Sequence, residues 1–348
     1  DVSQLVSALH DSGSSDFSLG RPAADDFARL GFVPVDARTT AGRRSQTVSL
    51  SLEEYTNDAA LAAVCRRLND QSAHCQKAGE TSLRFDTLFD SESGHFRPKR
   101  SDGRWLEPFS PIAWGGHFTE GSAWHWRVSP GLHAPLSLQR LFGGAESFGS
   151  VLRAFITEEP KATWKAYGMK IHEVTEMELL AKRLGTGQFA LTNEPLHHAL
   201  HLFPWADEQT QNEMFAHLMR LVPRTFEAGP SWASEIGAYI GDEDNGQMSA
   251  WYVLACLGVY PAQPFAPWLV RGPPLVESAT LRVDGAEVTL RATEHVSTAA
   301  QVSNDADFAN EVSDGSRRFL LPLDLFLGRN NLSGSERNKE IRISVTPG

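Results

Sequence analysis

The sequence predicts a mainly α-helical chain that ends in a small β-region. Several segments carry apolar residues at helical spacing, and loops of irregular length separate them, as in a helical bundle or toroid. Beyond about Val270 the apolar residues instead alternate in short runs around turn residues. We therefore expect a helical domain over residues 1–270 and a β-domain over residues 271–348.

The helical domain is predicted from the periodicity of its apolar residues. In the segment 172–184, Val174, Met177, Leu180 and Ala181 fall on one helix face. The other predicted helices are Ser49–Leu68, Cys75–Phe89, Ala145–Ile156, and an antiparallel pair formed by Pro195–Pro204 and Glu208–Leu221.

The β-region is predicted mainly from a hairpin signal. Asp284-Gly285 separates the apolar runs Leu281–Val283 and Val288–Leu290, a pattern typical of a tight hairpin turn. Phe319–Phe326 and Ile341–Val345 are predicted as further strands.

Charge and hydropathy argue against two classes of protein. The 348 residues carry a formal net charge of −11, whereas a nucleic-acid-binding surface is basic. No apolar run approaches the roughly 18 residues that a membrane-spanning helix needs. The chain begins at Asp1, with no Met and no signal-peptide pattern, so we expect a processed or partial chain.

The three cysteines, Cys65, Cys75 and Cys256, form neither a disulfide framework nor a zinc-binding pattern. Cys65 and Cys75 could pair if both face one helix–loop junction. Three free buried thiols are an equal alternative, because free cysteines are often buried.

The first candidate site is the segment 118–126, FTEGSAWHW. Glu120 lies beside a glycine and among Trp and His residues, and a partly dry environment raises the pKa of a carboxyl group toward use as a general acid. The indole of Trp124 offers a flat apolar surface of the kind that sugars stack on. The structural alternative is a glutamate at a helix start, with its aromatic neighbours in the core.

The second candidate site is the segment 192–198, TNEPLHH. Asn193 and Glu194 offer hard oxygen ligands of the kind that calcium takes. Asn193 could equally cap a helix that has Pro195 in its first turn. His197 and His198 are adjacent, so on a helix they point in different directions, and either could contact a sugar hydroxyl or be satisfied in the packing.

The third candidate site is the acidic loop at the start of the stretch 241–260, GDEDNGQMSAWYVLACLGVY. Its spacing fails the EF-hand rule. If the loop is extended, Asp242 and Asp244 lie on one side of the backbone and Glu243 turns away. The structural alternative is an acidic turn that is favoured by the dipole of the following helix.

Two weaker clusters favour structural roles. The HEVTEM segment places His172 and Glu176 on one helix face but lacks the second histidine of a zinc protease motif, so we expect a supporting helix. The segment Gly94–Pro98, GHFRP, is interpreted as a structural turn.

Taken in order, these clusters resemble the catalytic domain of glycoside hydrolase family 92, the calcium-dependent exo-acting α-mannosidases. The matching segments, from Gly31 to the C-terminal strands, are GFVPVD, TLFDSESGHFRPK, DGRWLEPFSP, FTEGSAWHW, LFGG, HEVTEM, NEPLHH, GDEDNGQMSAWYVLACLGVYP and GPPLVESATL, with the helix that ends at Leu68. The resemblance implies an (α/α)6 toroid followed by a small β-domain, with a β-sandwich upstream. It also implies hydrolysis of terminal α-mannosides with inversion, with α-1,2 linkages favoured.

The resemblance also assigns roles to residues. Glu120 becomes the general acid, and Asp242 or Asp244 becomes the base, with the choice between them open. An inverting pair has its carboxyl groups roughly 6.5–9.5 Å apart. Asn193 and Glu194 lie where the family binds Ca²⁺, which contacts the mannose 2- and 3-hydroxyls. The residues expected to contact a mannose-containing glycan are Trp124, His197 and Gln247.

The chain departs from the family pattern at several positions, including Ser122, where the family has Asn, and His125-Trp126. These departures motivate two alternatives: a hydrolase of another mannosyl linkage, such as a mannose-phosphate diester, and a non-catalytic glycan-binding or scaffolding member of the family. For any of these functions we expect a secreted or extracytoplasmic protein with no nucleic-acid partner.

Overall fold

The structure, a computed structural model, describes residues 4, 8, 23–39, 42–43, 45–165, 168–225, 244–261, 268–272, 274–283, 286–293, 320–322 and 338–344. The chain divides into two compact units. The first comprises residues 1–141 and 161–174, and the second comprises residues 142–160 and 175–348. The predicted domain boundary near residue 270 is a different division and stays a prediction.

The first unit is built around one long helix. Its helices are α1 (Ala24–Leu30), α2 (Thr47–Arg67), α3 (Ala73–Thr81), α4 (Ala123–Trp126) and α5 (Pro135–Leu141), and its strands are β1 (Arg38–Thr39), β2 (Gly42–Arg43), β3 (Phe89–Asp90) and β4 (His95–Phe96). β1 pairs with β2 and β3 with β4, both antiparallel. Val48, Leu52 and Tyr55 of α2 are fully buried, so this helix forms the centre of the unit's core.

The second unit combines helices with short strands. Its helices are α6 (Ala145–Thr157), α7 (His172–Leu184, whose first turn belongs to the first unit), α8 (Glu208–Thr225) and α9 (Gln247–Leu257). Its strands are β5 (Val259–Tyr260), β6 (Trp268–Arg271), β7 (Ser278–Val283), β8 (Ala286–Thr293), β9 (Leu320–Pro322) and β10 (Asn338–Ser344). They form two three-stranded sheets in the orders β5-β6-β9 and β10-β8-β7.

The predicted mainly α class is confirmed, and most predicted elements are present within a few residues of their expected bounds. On α7, three residues of the predicted apolar face are buried, Val174, Met177 and Leu180, whereas the fourth, Ala181, is half-buried. β7 and β8 pair antiparallel with Val283 opposite Ala286, as the hairpin signal requires. The Asp284-Gly285 turn itself lies outside the described residues. β10 pairs parallel with β8.

Two helix predictions were wrong in detail. The helix predicted over Cys75–Phe89 ends at Thr81 and gives way to a 3-10 turn at Arg84–Leu88. The Ser82 hydroxyl donates to the Gly79 carbonyl at 2.8 Å, and such side-chain bonds compete with helix continuation.

The segment predicted as the helix Pro195–Pro204 is three separate 3-10 turns, at Glu194–Leu196, Ala199–His201 and Phe203–Trp205. The prolines explain the difference, because a proline has no N–H to donate and disfavours an α conformation at the residue before it. None of the helices in the described segments combines the length and apolar character that a membrane crossing requires.

A disulfide joins Cys65 at the end of α2 to Cys75 in α3, which decides between the two alternatives that the sequence left open. Both cysteines are buried and pack with Leu61 and Val64. Cys256 is a half-buried free thiol. The bond closes a sequence separation of 10 residues.

Removing the disulfide should destabilise the first unit. We expect the double variant Cys65→Ala/Cys75→Ala to lose roughly 2–3 kcal/mol of unfolding free energy, because the unfolded chain regains the freedom of the closed loop. Urea unfolding with and without a phosphine reductant measures this effect. Cys256→Ala is the control and should still respond to the reductant, whereas the double variant should not. Equal midpoints for the oxidised and reduced wild type would contradict the prediction.

Candidate active site

Glu120 lies in a tight loop over residues 115–121. The amide of Gly115 donates to the carbonyl of Gly121 at 2.7 Å, which closes the loop. Glu120 itself is exposed, so the partly dry environment expected from its aromatic neighbours was wrong. Its φ is 42°, in the left-handed region that a residue with a Cβ rarely adopts. Such backbone strain is held in place by surrounding structure and is concentrated at functional sites.

The surrounding structure here is the first turn of α2. The amide of Gln46 donates to the carbonyl of Gly116 at 2.8 Å, and the amides of Val48 and Ser49 both donate to the carbonyl of His117, at 3.1 and 3.3 Å. The first amides of a helix have no partner within it, so the loop carbonyls satisfy them. α2 thus holds the loop at its own N-terminus.

Thr119, directly before Glu120, is held from two sides. Its amide donates to Ser49 Oγ at 3.0 Å, and its hydroxyl lies 2.9 Å from the same oxygen. Its carbonyl accepts a bond of 2.8 Å from the indole Nε1 of Trp126. The backbone that leads into Glu120 is therefore fixed by side chains of α2 and α4.

Trp124 is nearly buried, with 5% of its surface exposed. The guanidinium carbon of Arg127 lies 4.1 Å from the centre of its ring, and His125 approaches it edge-on. Little of the indole is open to a sugar, and its role as a sugar platform stays a prediction. Ser122 Oγ lies 2.8 Å from His125 Nδ1, so two of the departures from the family pattern contact each other.

Asn193 and Glu194 lie in the second unit at the start of a 3-10 turn. Asn193 is 2% exposed and has an extended backbone, and its side chain makes no capping hydrogen bond to the turn. The capping alternative considered from the sequence is therefore not realised. The amide oxygen of Asn193 and the carboxylate oxygens of Glu194 are the donor types that calcium takes.

His197 connects this segment to the acidic loop. Its ring is 1% exposed, and its Nε2 lies 2.9 Å from the carbonyl of Leu191, which identifies Nε2 as the protonated nitrogen. Burial lowers the pKa of His197 to about 4, against the opposing effects of the Leu191 bond and of the negative charge of Asp244. The contact of His197 with Trp251 of α9 brings the two candidate segments of this unit close together.

Trp251 of α9 packs against the histidines of the segment that contains Asn193 and Glu194. The Trp251 ring lies 5.9 Å from that of His197 and 6.3 Å from that of His201. Tyr260 stacks on His201 with ring centres 4.0 Å apart. Burial lowers the pKa of His201 to about 3, so both histidines are neutral members of an aromatic packing cluster.

Asp244 lies in the turn that precedes α9. Its φ is 51° and that of Asn245 is 56°, so the extended backbone considered from the sequence does not continue through Asp244. Its carbonyl accepts the amide of Gln247 at 3.1 Å. Gln247, the first residue of α9, is exposed, and its contact with substrate stays a prediction. Asp242 and Glu243 lie outside the described residues, and the role of Asp242 stays a prediction.

The two weaker clusters lie in regular secondary structure, and their structural roles stay a prediction. The GHFRP segment contains β4, which pairs with β3, and its Arg97 binds Asp90 at 3.0 Å and Glu107 at 2.5 Å. His172 is exposed beside Glu173 at the start of α7.

A third group of donors, Asp70, His74 and Cys75, lies within 4.8 Å of one another. The Cys75 sulfur is already bonded to Cys65, so this group has no thiolate to offer a metal.

The structure places the predicted site residues in two sets. Glu120 and Trp124 belong to the first unit, and the second unit brings Asn193, Glu194, His197, Asp244 and Gln247 into one region. Sequence reasoning missed Ser49, because a serine in a helix start carries no sign of a partner 70 residues away. It also missed His201 and Tyr260. The spacing of His201, four residues after His197, was the available signal.

The fold and the site define a mainly helical chain with acidic residues on strained turns, each of which precedes a helix. The family model for the glycosyl hydrolase family 92 catalytic domain matches residues 3–313, and the chain belongs to this family. The predicted family resemblance is thereby confirmed. A comparison with curated proteins finds no match.

Solved structures of the same family match the chain. An inverting mannosidase from Bacteroides thetaiotaomicron VPI-5482 is 28% identical, with a TM-score of 0.67, and the match covers 84% of this chain and 38% of that one. An α-mannosidase from Bacteroides thetaiotaomicron in complex with mannoimidazole is 21% identical, with a TM-score of 0.73 and coverage of 99% and 40%. The chain thus spans about two fifths of the length of these relatives.

Proposed function

We propose that the protein is a calcium-dependent, inverting exo-α-mannosidase that removes terminal α-mannose from glycans, with α-1,2 linkages favoured. The observation that carries the proposal is the family match, which spans Glu120, Asn193-Glu194 and Asp242–Asp244 in one chain. The strained backbone of Glu120 and of Asp244 supports it, and so does the description of a relative as an inverting mannosidase.

In the proposed reaction, Glu120 donates its proton to the glycosidic oxygen as the bond to the anomeric carbon breaks. Asp242 or Asp244 removes a proton from the water that attacks the opposite face of the sugar. The sugar then leaves with inverted configuration, as β-mannose from an α-mannoside. The anchored Thr119 fixes the backbone from which Glu120 projects, so that the acid needs little reorganisation.

The donor set at Asn193 and Glu194 fits calcium, because both side chains offer hard oxygen atoms and Asn193 is not used as a helix cap. A cation held by Asn193 and Glu194 would polarise mannose hydroxyls and favour distortion of the ring toward the transition state. The neutral, buried His197 beside this segment contributes no positive charge that would repel a cation.

The proposal extends to the whole protein. We infer that the helices close an (α/α)6 toroid, that a β-sandwich domain accompanies it as in the predicted architecture, and that the protein works in a secreted or extracytoplasmic location. The Cys65–Cys75 disulfide supports that location, because disulfides persist in oxidising compartments.

Mannose release with and without a chelator tests the proposal. The full-length protein should release β-mannose from an α-1,2-linked mannobiose, as followed by proton NMR before mutarotation. A calcium chelator should abolish the activity, and added Ca²⁺ should restore it, whereas Mg²⁺ should not, because it demands a smaller octahedral site. Glycan binding without turnover would instead identify a non-catalytic member of the family. Turnover of a mannose-phosphate diester alone would identify the other alternative.

A further inference from the structure

We infer that Ser49 is a positioning residue for the general acid Glu120, acting through Thr119. The inference rests on the proposed function, because it assigns a support to the acid of that reaction. Ser49 lies in the first turn of α2 and is fully buried, and it does not belong to any of the segments that the sequence singled out as a candidate site.

The hydrogen bonds of Ser49 use all of its capacity. A serine hydroxyl donates one bond and accepts two. Ser49 Oγ donates to the carbonyl of Gln46 at 3.1 Å, and it accepts the Thr119 amide at 3.0 Å and the Thr119 hydroxyl at 2.9 Å. Two of its three bonds therefore go to the residue directly before Glu120.

These bonds hold the backbone next to a residue whose own backbone is strained. A glutamate with a left-handed backbone relaxes toward φ < 0 unless its neighbours hold it. The only side-chain oxygen that accepts the Thr119 amide in the described part of the chain is that of Ser49. Loss of this oxygen releases the backbone next to Glu120 and moves the carboxyl group away from its working direction.

Ser51 provides a matched control on the same helix. It is also fully buried, donates to a helix carbonyl, that of Thr47, at 2.7 Å, and accepts a distant backbone amide, that of Val33, at 2.9 Å. Its partners lie outside the loop 115–121. Ser51→Ala therefore removes an equivalent hydroxyl without touching the support of Glu120.

Substrates with different leaving groups distinguish a loss of Glu120 positioning from a general loss of activity. A mannobiose needs protonation of its leaving oxygen, whereas a dinitrophenyl α-mannoside expels a stable phenolate without it. For Ser49→Ala we expect kcat on the mannobiose to fall roughly 10- to 100-fold with KM unchanged, while the rate on the dinitrophenyl mannoside stays nearly that of the wild type. For Ser51→Ala the two substrates should respond alike.

Hydrogen exchange provides a readout that does not need activity. The Thr119 amide should exchange faster in Ser49→Ala than in the wild type or Ser51→Ala, as followed by mass spectrometry of the peptide over 115–121. If Ser49→Ala does not fold, Thr119→Val removes one of the two bonds from the loop side and should show the same dependence on the leaving group, with a smaller loss.

The outcomes distinguish failure of the proposed function from failure of the positioning role of Ser49. A wild type that does not hydrolyse either mannoside overturns the proposed function. An active wild type in which Ser49→Ala loses the same factor on both substrates, or matches Ser51→Ala, overturns the positioning role alone. A selective loss on the mannobiose with faster Thr119 exchange establishes it.

Discussion

Replacing Glu120 with glutamine should lower kcat on α-linked mannobiose by about 10²- to 10⁴-fold. The amide has the shape of the carboxyl group but has no proton of suitable acidity to give to the leaving oxygen. Steady-state rates on the purified full-length variant measure the effect. Glu80→Gln, a change at an exposed glutamate of α3, is the control and should leave the rate unchanged.

Two further substitutions separate the chemistry of Glu120 from its backbone strain. Both Glu120→Ala and Glu120→Gly remove the carboxyl group, but only glycine adopts a φ of 42° without steric cost. The glycine variant should therefore be more stable than the alanine variant by about 1 kcal/mol, although both are inactive on the mannobiose. Full activity of Glu120→Gln would show that Glu120 is not the general acid. Equal stability of Glu120→Ala and Glu120→Gly would show that the backbone at Glu120 carries no strain.

Replacing Gly187 with alanine should destabilise the second unit by about 3 kcal/mol or more, because it combines backbone strain with overpacking. Gly187 has a φ of 59°, and a Cβ there would lie 2.6 Å from the carbonyl carbon of Ile156 and 2.8 Å from the carbonyl oxygen of Phe155. Both contacts are with the backbone of α6, which cannot rotate away as a side chain does. Urea unfolding of the variant measures the loss.

Gly185 provides the control for this prediction. It has a similar φ of 70°, and a Cβ there would meet nothing within 4 Å. Gly185→Ala should therefore lose only the cost of a left-handed backbone, about 1 kcal/mol. Equal losses of unfolding free energy in Gly187→Ala and Gly185→Ala would show that the close approach of Gly187 to α6 does not affect stability. Because residues 188–192 lead directly to the candidate calcium ligands Asn193 and Glu194, Gly187→Ala should also weaken calcium binding.

Periodicity predicted the long helices well, because burial of one face decides both the sequence pattern and the packing. α2 and α7 differ from their predicted bounds by at most two residues. The same rule failed between Pro195 and Pro204, where apolar residues are all buried but the prolines remove the amides that an α-helix needs. Burial pattern alone does not show which backbone hydrogen bonds form.

The candidate site was predictable in kind but not in detail. Local sequence patterns identified the candidate acidic, asparagine and histidine residues. The roles of Glu120 and of Asp242 or Asp244 came from the family resemblance. The contact of Ser49 with Thr119 could not be predicted, because no local pattern encodes a bond between residues 70 positions apart. The left-handed backbone of Glu120 was equally invisible, since glutamate gives no signal for it as glycine would.

The use of loop carbonyls to complete the start of α2 has a consequence for the order of folding. A helix with a local cap can begin by itself, but the first amides of α2 find their acceptors at Gly116 and His117, only after the intervening chain has closed on itself. Closure of a long loop delays such contacts. The helix start and the Glu120 loop should therefore form together, late, as one cooperative unit, and open together when the native protein fluctuates.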